Sequence, residues 1–433
     1  MTTTRNVPLY RDAYFLLFVI TVFYVSYRYP MQVNEEMPGS GYADTPVWLQ
    51  TGKYVLVLMV LGFTGLMRLM TRGTNTVVDR MYFLLFYVFL FGSAVLTAVV
   101  AGSLILLKIA PFLLIPIAFH LLDLAPLNVN RMTKFLRFVV WTVIAVDIVQ
   151  VMLYYTIGRL PAVSHEGSVS IRFGSLWDDP NGFGLFLSFL IPFAWFSFEG
   201  IQKKIAVSLL ALMLPITQSL TGITATVLTV TLLFAIKLIH RPNVRGILLA
   251  TAGAIVVVVV LLYGADLLHG TKLLQAWQIK EKSMAVHLAD FSRLGNLRMI
   301  SLLGIDPTGT VCETNYVDIL ENYGIFYLMA SVGLKLYATI HFGRLLFGKQ
   351  TSKELRAFSA GAFCYLSGYL LGSFFLPSER AFPVNILGIL LTTVATMDRY
   401  YLSVAVPGVV SERFVPALLR RPSMQPISGQ TST

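Results

Sequence analysis

The sequence predicts an all-α, polytopic membrane protein of about twelve transmembrane helices with one long loop on the outer side. Three observations carry that prediction. Of 433 residues, 56% are hydrophobic and only 13% charged, against about 25% charged in soluble domains. The mean hydropathy is +0.72. The apolar residues are gathered into runs close to the ~20 residues that a helical span requires, and Lys and Arg are unevenly shared between the segments joining them. The net charge of +11 is then a cytoplasmic bias across a bilayer rather than a nucleic-acid surface, and no nucleic acid is expected as a partner.

Taken in order, the candidate spans are 12–27, 54–70, 82–100, 104–123, 138–157, 183–198, 205–220, 222–239, 246–264, 316–342, 357–376 and 382–398. The first has no small-residue cleavage site after it and reads as a retained helix rather than a signal peptide. With the N-terminus inside, 21 of the 33 Lys and Arg residues fall in cytoplasmic segments and 10 on the opposite face. Lys108 and Lys335 lie within spans. Both termini are therefore expected in the cytoplasm. The chain divides into a transmembrane region over 1–264 (with an outer loop at 158–182), a long outer loop over 265–315, a second transmembrane region over 316–405, and a polar tail over 406–433 expected to be disordered.

The outer loops hold the informative residues. From His165 to Pro192 the chain reads HEGSVSIRFGSLWDDPNGFGLFLSFLIP. Arg172, Trp177, Asp178, Asp179 and Asn181 stand together there, just before an apolar helix. Asp-Pro-Asn-Gly is turn chemistry and can also open a helix, where free N–H groups and the dipole favour an anion. The structural alternative is a capping turn with a snorkelling arginine. Trp177 could stack on a sugar or anchor at the interface, and anchoring is the plainer role. The long loop carries Arg293, Arg298 and a second Asp-Pro turn, then Glu313, Thr314, Asn315 and Tyr316 at the mouth of the next span. Glu313 has a plain role as a helix-dipole carboxylate. Asp318 and Glu321 are expected to be exposed on that helix above the membrane. Cys312 and Cys364 provide neither a disulfide framework nor a metal cluster, and no phosphate-binding glycine loop or His/Cys spacing is present. No metal and no cofactor are expected. Arginine forks that grip phosphate beside carboxylates that take a hydroxyl proton suit a pyrophosphate held at the headgroup level with its lipid in the bilayer.

Three segments carry a resemblance. IRFGSLWDDPNGFGLFLSFLIP resembles the R-x-x-G-x-x-x-x-P-N region of the O-antigen ligase and O-antigen polymerase superfamily. TQSLTGITATVLTV is similar to that superfamily's T-x-S-x-(T/R) turn and following span. GIDPTGTVCETNYVDILENYGIFYL is similar to the end of its long periplasmic loop. Order and spacing agree over about 140–345.

The resemblance implies a GT-C-type, metal-independent glycosyltransferase of the bacterial inner membrane. Its substrates would be undecaprenyl-pyrophosphate-linked oligosaccharide repeat units at the periplasmic face. It also implies membrane lipids as surroundings, and a chain-length regulator and a flippase as working partners. Arg172 takes the place of the first-loop arginine, and Arg293 or Arg298 that of the long-loop arginine. Glu313 stands where ligases have histidine, next to the matching Asn315, which favours chain extension over ligation. Ser219 and Thr221 occupy the short turn, where the arginine often found in the family is missing. On this reading Glu313, Arg172 and Arg293 are catalytic, while Arg298, Asp179, Asn181, Asn315, Tyr316 and Trp177 bind substrate. An O-antigen ligase-type transferase is the alternative of the same class. A transporter of lipid-linked oligosaccharide is the alternative of another class. Transporters place charge near the midplane on broken helices, and the spans here hold few ionisable residues beyond Lys108, Asp147 and Lys335.

Overall fold

The computed structural model describes residues 12–24, 47–72, 81–102, 104–124, 127–157, 163–166, 170–177, 179–217, 219–240, 314–348, 350–374 and 382–398, together with 285, 288–290, 292, 376, 378 and 379. The expected span 246–264, Glu313, Arg293, Arg298 and the tail 406–433 lie outside these residues. The described chain is almost entirely helical. Its helices are α1 (Ala13–Phe23), α2 (Val47–Arg72), α3 (Met81–Ala101), the single turn α4 (Leu104–Leu107), α5 (Ala110–Leu122), α6 (Val129–Ile157), α7 (Pro180–Ser197), α8 (Gly200–Thr217), α9 (Leu220–His240), α10 (Asn315–Phe347), α11 (Lys353–Gly372) and α12 (Val384–Met397). Each expected span other than 246–264 overlaps a helix, with 104–123 divided between α4 and α5. Among the described residues, six helices are long and apolar enough to cross a membrane: Thr51–Met70, Met81–Ala101, Val129–Thr156, Pro180–Ser197, Gly200–Thr217 and Asn315–Phe347. The protein is an all-α membrane protein.

One local departure from the helical expectation is a hairpin of β1 (Val163–Glu166) and β2 (Ser170–Phe173), paired antiparallel with Val163 opposite Phe173 and Ser164 opposite Arg172. Strand pairing satisfies the backbone N–H and C=O groups of the segment leading into α7.

The helices sort by what their surfaces meet. On α2, α3 and α6 the side chains of Met59, Phe63, Leu66, Leu85, Val99, Phe138 and Met152 are exposed, as suits helices bordering lipid tails. By contrast α7, α11 and α12 are buried along almost their whole length. α11 packs along α7 and α10, α7 also packs on α8 and α9, and α12 fits between α5 and α10.

Two glycines let α7 and α9 approach to backbone contact. A Cβ added to Gly222 would lie 2.6 Å from the Gly184 Cα, and one added to Gly184 would lie 3.0 Å from the Gly222 Cα. Without a hydrophobic force between helices in lipid, close packing of this kind is what holds spans together. The turn before α9 serves this crossing. Ser219 caps α9 by accepting the Gly222 N–H at 2.9 Å, and the Thr217 hydroxyl accepts the Ser219 N–H at 3.2 Å.

Ion pairs mark the helix ends that the charge bias assigns to the cytoplasm. Arg131 meets Asp12 at 3.1 Å, Arg68 meets Asp123 at 2.8 Å, His341 lies 3.4 Å from Asp398, and Lys353 pairs with Glu199. Asp12 also caps α1 by accepting the Phe15 N–H at 3.2 Å.

Candidate functional site

The first predicted segment is built as a clamp between α6 and α7. After β2 the chain turns, with the Trp177 N–H donated to the Gly174 carbonyl at 2.9 Å. Ser175 sits at φ 53°, and its carbonyl accepts the Gln150 amide from α6 at 3.0 Å. Trp177 is 2% exposed and stacks on Phe186 with ring centroids 4.6 Å apart. It therefore packs the loop onto α7 and presents no open face outward. Asp179 is the N-cap of α7, its two oxygens accepting the N–H groups of Asn181 at 2.9 Å and Gly182 at 3.0 Å. Pro180 follows at the first helical position, where its missing N–H costs nothing. Asn181 is partly buried in that first turn. Arg172 is placed by its backbone in β2, opposite Ser164.

The second predicted segment opens α10. The Thr314 N–H is donated to the Asp290 carboxylate at 3.1 Å, which ties the long loop to the helix start. The Asn315 N–H reaches the Ser373 carbonyl at 3.0 Å, and its side-chain amide reaches the Ser373 hydroxyl at 3.3 Å. Asn315 Oδ1 accepts the Glu379 N–H at 3.0 Å. The Tyr316 hydroxyl donates to the Leu370 carbonyl, and its ring meets Phe374 edge-on at 4.8 Å. Asn315 and Tyr316 thus fasten the start of α10 to the end of α11.

α10 then breaks at Gly324, whose φ of 86° and ψ of 172° are non-helical and fall in a region essentially reserved for glycine. The size of the bend follows from the contacts. In an unbroken helix Asn315 and Lys335 would stand roughly 30 Å apart at 1.5 Å per residue. Both instead reach Glu379, Asn315 through its side-chain oxygen and Lys335 through an ion pair. Summed bond lengths and hydrogen-bond distances allow at most about 20 Å between their Cα atoms. The 315–323 segment is therefore folded back on 325–347 by about a right angle or more. The carbonyl of Tyr323, freed at the break, accepts the Ser93 hydroxyl at 3.5 Å, and the Tyr323 hydroxyl donates to Leu106 at 3.0 Å.

This bend corrects the expectation that Asp318 stands exposed. Asp318 is 0% exposed and takes the Asn322 side-chain amide on its own carboxylate at 3.2 Å. A helix folded down at Gly324 turns its first segment into the protein instead of extending it above the membrane. Glu321, on the same segment, is only partly buried.

At the inside of the bend lies an ion pair the sequence did not single out. Lys335 and Glu379 are 6% and 4% exposed and pair directly. The Ser331 hydroxyl and the Lys335 ammonium both donate to the same carboxylate oxygen, Glu379 Oε1, and Lys335 also donates to Ser331. The ammonium lies 4.9 Å from the centroid of the Tyr369 ring. The Asn385 side chain donates to the Glu379 carbonyl at 3.0 Å. A signal for the pair was present: a lysine inside an apolar run, and a glutamate in the short polar stretch PSERAFP between two apolar runs. Nothing in sequence says that residues 44 apart meet.

The loop bearing Glu379 also bridges the two predicted segments. Gly182 of α7 faces Val384 at the start of α12, where an added Cβ would lie 2.9 Å from the valine Cγ2. Asn385 beside it holds Glu379, and Glu379 holds Asn315. So Asp179 and Asn181 on one side, and Asn315 and Tyr316 on the other, belong to one end of the helix bundle. Among the described residues no group of three or more His, Cys, Asp or Glu side chains could hold a metal ion. Compared with protein-family models, curated proteins and solved structures, the chain matches none.

Proposed function

We propose that this protein is a polysaccharide polymerase of the bacterial inner membrane, a GT-C-type glycosyltransferase of about twelve spans. It would move a growing glycan from undecaprenyl pyrophosphate to a hydroxyl of a new lipid-linked repeat unit at the periplasmic face. Product polymers of this class are exopolysaccharide, capsule and O-antigen. One observation carries the reading: the Asp-Pro-Asn-Gly start of α7 and the Asn-Tyr start of α10 flank the same Glu379 loop at one end of the bundle. The three sequence segments that resemble the polymerase and ligase superfamily support it, and Glu313 in place of a ligase-type histidine favours extension over ligation. In this scheme Arg172 and Arg293 (or Arg298) hold the leaving pyrophosphate as charge develops, while Glu313 receives the acceptor hydroxyl's proton. Lipid, a flippase and a chain-length regulator complete the setting.

The test is complementation of a strain deleted for the gene. Wild type should restore long polymer. Glu313→Gln should reduce extension by about 10²–10⁴-fold, with single lipid-linked units accumulating at unchanged protein level. Arg172→Lys should also be impaired, because a point charge does not reproduce the planar fork. Normal polymer from Glu313→Gln removes the base role.

A transporter of lipid-linked oligosaccharide is the second reading, favoured by the broken helix α10 and the buried Lys335–Glu379 pair, since both features recur where substrates cross membranes. It predicts that the deletion strain holds repeat units on the cytoplasmic leaflet, whereas a missing polymerase leaves them on the periplasmic leaflet.

A further inference from the structure

We propose that Glu379 is a sugar-binding residue, the central acceptor of a hydroxyl-recognising set completed by Asn385 and Tyr369, and that it discriminates glycan-bearing lipid from bare lipid. The inference rests on the polymerase reading for the identity of the sugar, and on the geometry around Glu379 for the site. One carboxylate oxygen, Oε1, is fully committed to Lys335 and Ser331. The other, Oε2, takes no hydrogen bond among the described residues. The lysine neutralises the carboxylate through one oxygen and leaves the second without a hydrogen bond.

Two more polar atoms stand unsatisfied nearby. Asn385 spends its amide N–H on the Glu379 carbonyl, yet its Oδ1 is buried and unpartnered. The Tyr369 hydroxyl is buried and unpartnered as well, on the ring whose centroid lies 4.9 Å from the Lys335 ammonium. Leaving such groups unmet inside a protein costs free energy, so two of them beside the free oxygen of Glu379 mark a place where a partner binds. The partner's chemistry follows from theirs. Two acceptors and one hydroxyl, beside a charge already neutralised, call for a neutral group rich in O–H donors with at least one acceptor. A sugar has that composition, whereas a phosphate would meet acceptors and repulsion. The loop is short and bridges the two segments at the same end of the bundle, which puts the set beside the start of α10.

The experiment measures binding by the full chain in lipid nanodiscs with two probes. One is lipid-linked repeat units extracted from the deletion strain; the other is undecaprenyl pyrophosphate without glycan. Wild type should prefer the glycan-bearing probe by about ten-fold or more, a few neutral hydrogen bonds' worth. Tyr369→Phe keeps the ring and loses only the unpartnered hydroxyl, and should cut the preference roughly three- to ten-fold. The double variant Lys335→Met with Glu379→Met separates recognition from scaffolding, because it removes both carboxylate oxygens and a buried ion pair replaced by apolar side chains of similar volume usually leaves stability intact. It should melt like wild type and bind both probes alike. Retained preference in the double variant would make Glu379 a structural residue only. Should the double variant fail to fold, unchanged preference in Tyr369→Phe overturns the inference instead. Equal binding of both probes by wild type removes the hydroxyl set while leaving the lipid reading in place. Binding of neither probe removes the polymerase reading itself, and the inference with it.

Discussion

At the scale of single residues, polar side chains here mostly hold backbone in place, and this separates structural from chemical roles. Asp179 spends both oxygens on the first turn of α7. Asp179→Ala should therefore lower stability by about 0.5–2 kcal/mol, and Asp179→Ser should recover most of it, as caps do. Thermal unfolding in detergent reads both. If Asp179 instead contacts substrate, Asp179→Ser would keep the melting temperature and lose polymer. Gly324 is a second residue with a defined cost. No side chain other than glycine's sits easily at φ 86° and ψ 172°, so Gly324→Ala should cost about 1–3 kcal/mol. A melting temperature equal to wild type would mean that the bend is not fixed by this position. Lys335→Met alone should cost more, about 3–5 kcal/mol, since it strands Glu379 as a buried charge.

At the scale of elements, the glycines of α7, α9 and α11 are contact surfaces rather than flexible points. An added Cβ at Gly361 would lie 2.8 Å from the Phe189 carbonyl, and the Gly184–Gly222 crossing is tighter still. Gly222→Leu should destabilise by about 1–3 kcal/mol or more through overpacking. Gly92 of α3 has nothing within 4 Å of where a Cβ would stand. There Gly92→Ala should be neutral or stabilising by up to about 1 kcal/mol, the difference in helix propensity. Equal effects at the two sites in a melting assay would show that α7 and α9 do not cross in backbone contact.

At the scale of the whole molecule, orientation is the first thing to measure. The charge bias predicts that 158–182 and 265–315 face the periplasm. Single cysteines at Ser168 and Ser283, in a chain with Cys312 and Cys364 replaced, should be labelled by an impermeant thiol reagent in cells with a permeabilised outer membrane. Labelling only after the inner membrane is broken would reverse the topology. The helices were legible because length and apolar content are properties of a contiguous stretch, and 246–264 alone of the expected spans lies outside the described residues. The starts of α7 and α10 were legible too, as Asp179-Pro180 and Thr314-Asn315. The hairpin was not, since four-residue strands within a polar loop leave no periodic trace. Nor was the fold-back at Gly324, because a glycine in an apolar run looks the same whether the helix continues or turns. Lys335 stood out as a charge in a span, but its partner lay in a loop that only folding brings to it.

The burial of α12 has a consequence for how this protein is made. From Val384 to Met397 every side chain is enclosed by other helices, and Thr392, Thr393 and Thr396 spend their hydroxyls on the helix's own backbone. Such a helix meets protein, not lipid, on all sides in the finished molecule, and it follows its neighbours α5, α10 and α11 in the chain. During biosynthesis those neighbours are already in the bilayer when α12 emerges. A helix enclosed on every side by elements made before it reaches its burial only after they are in place, so its packing is a step separate from its synthesis.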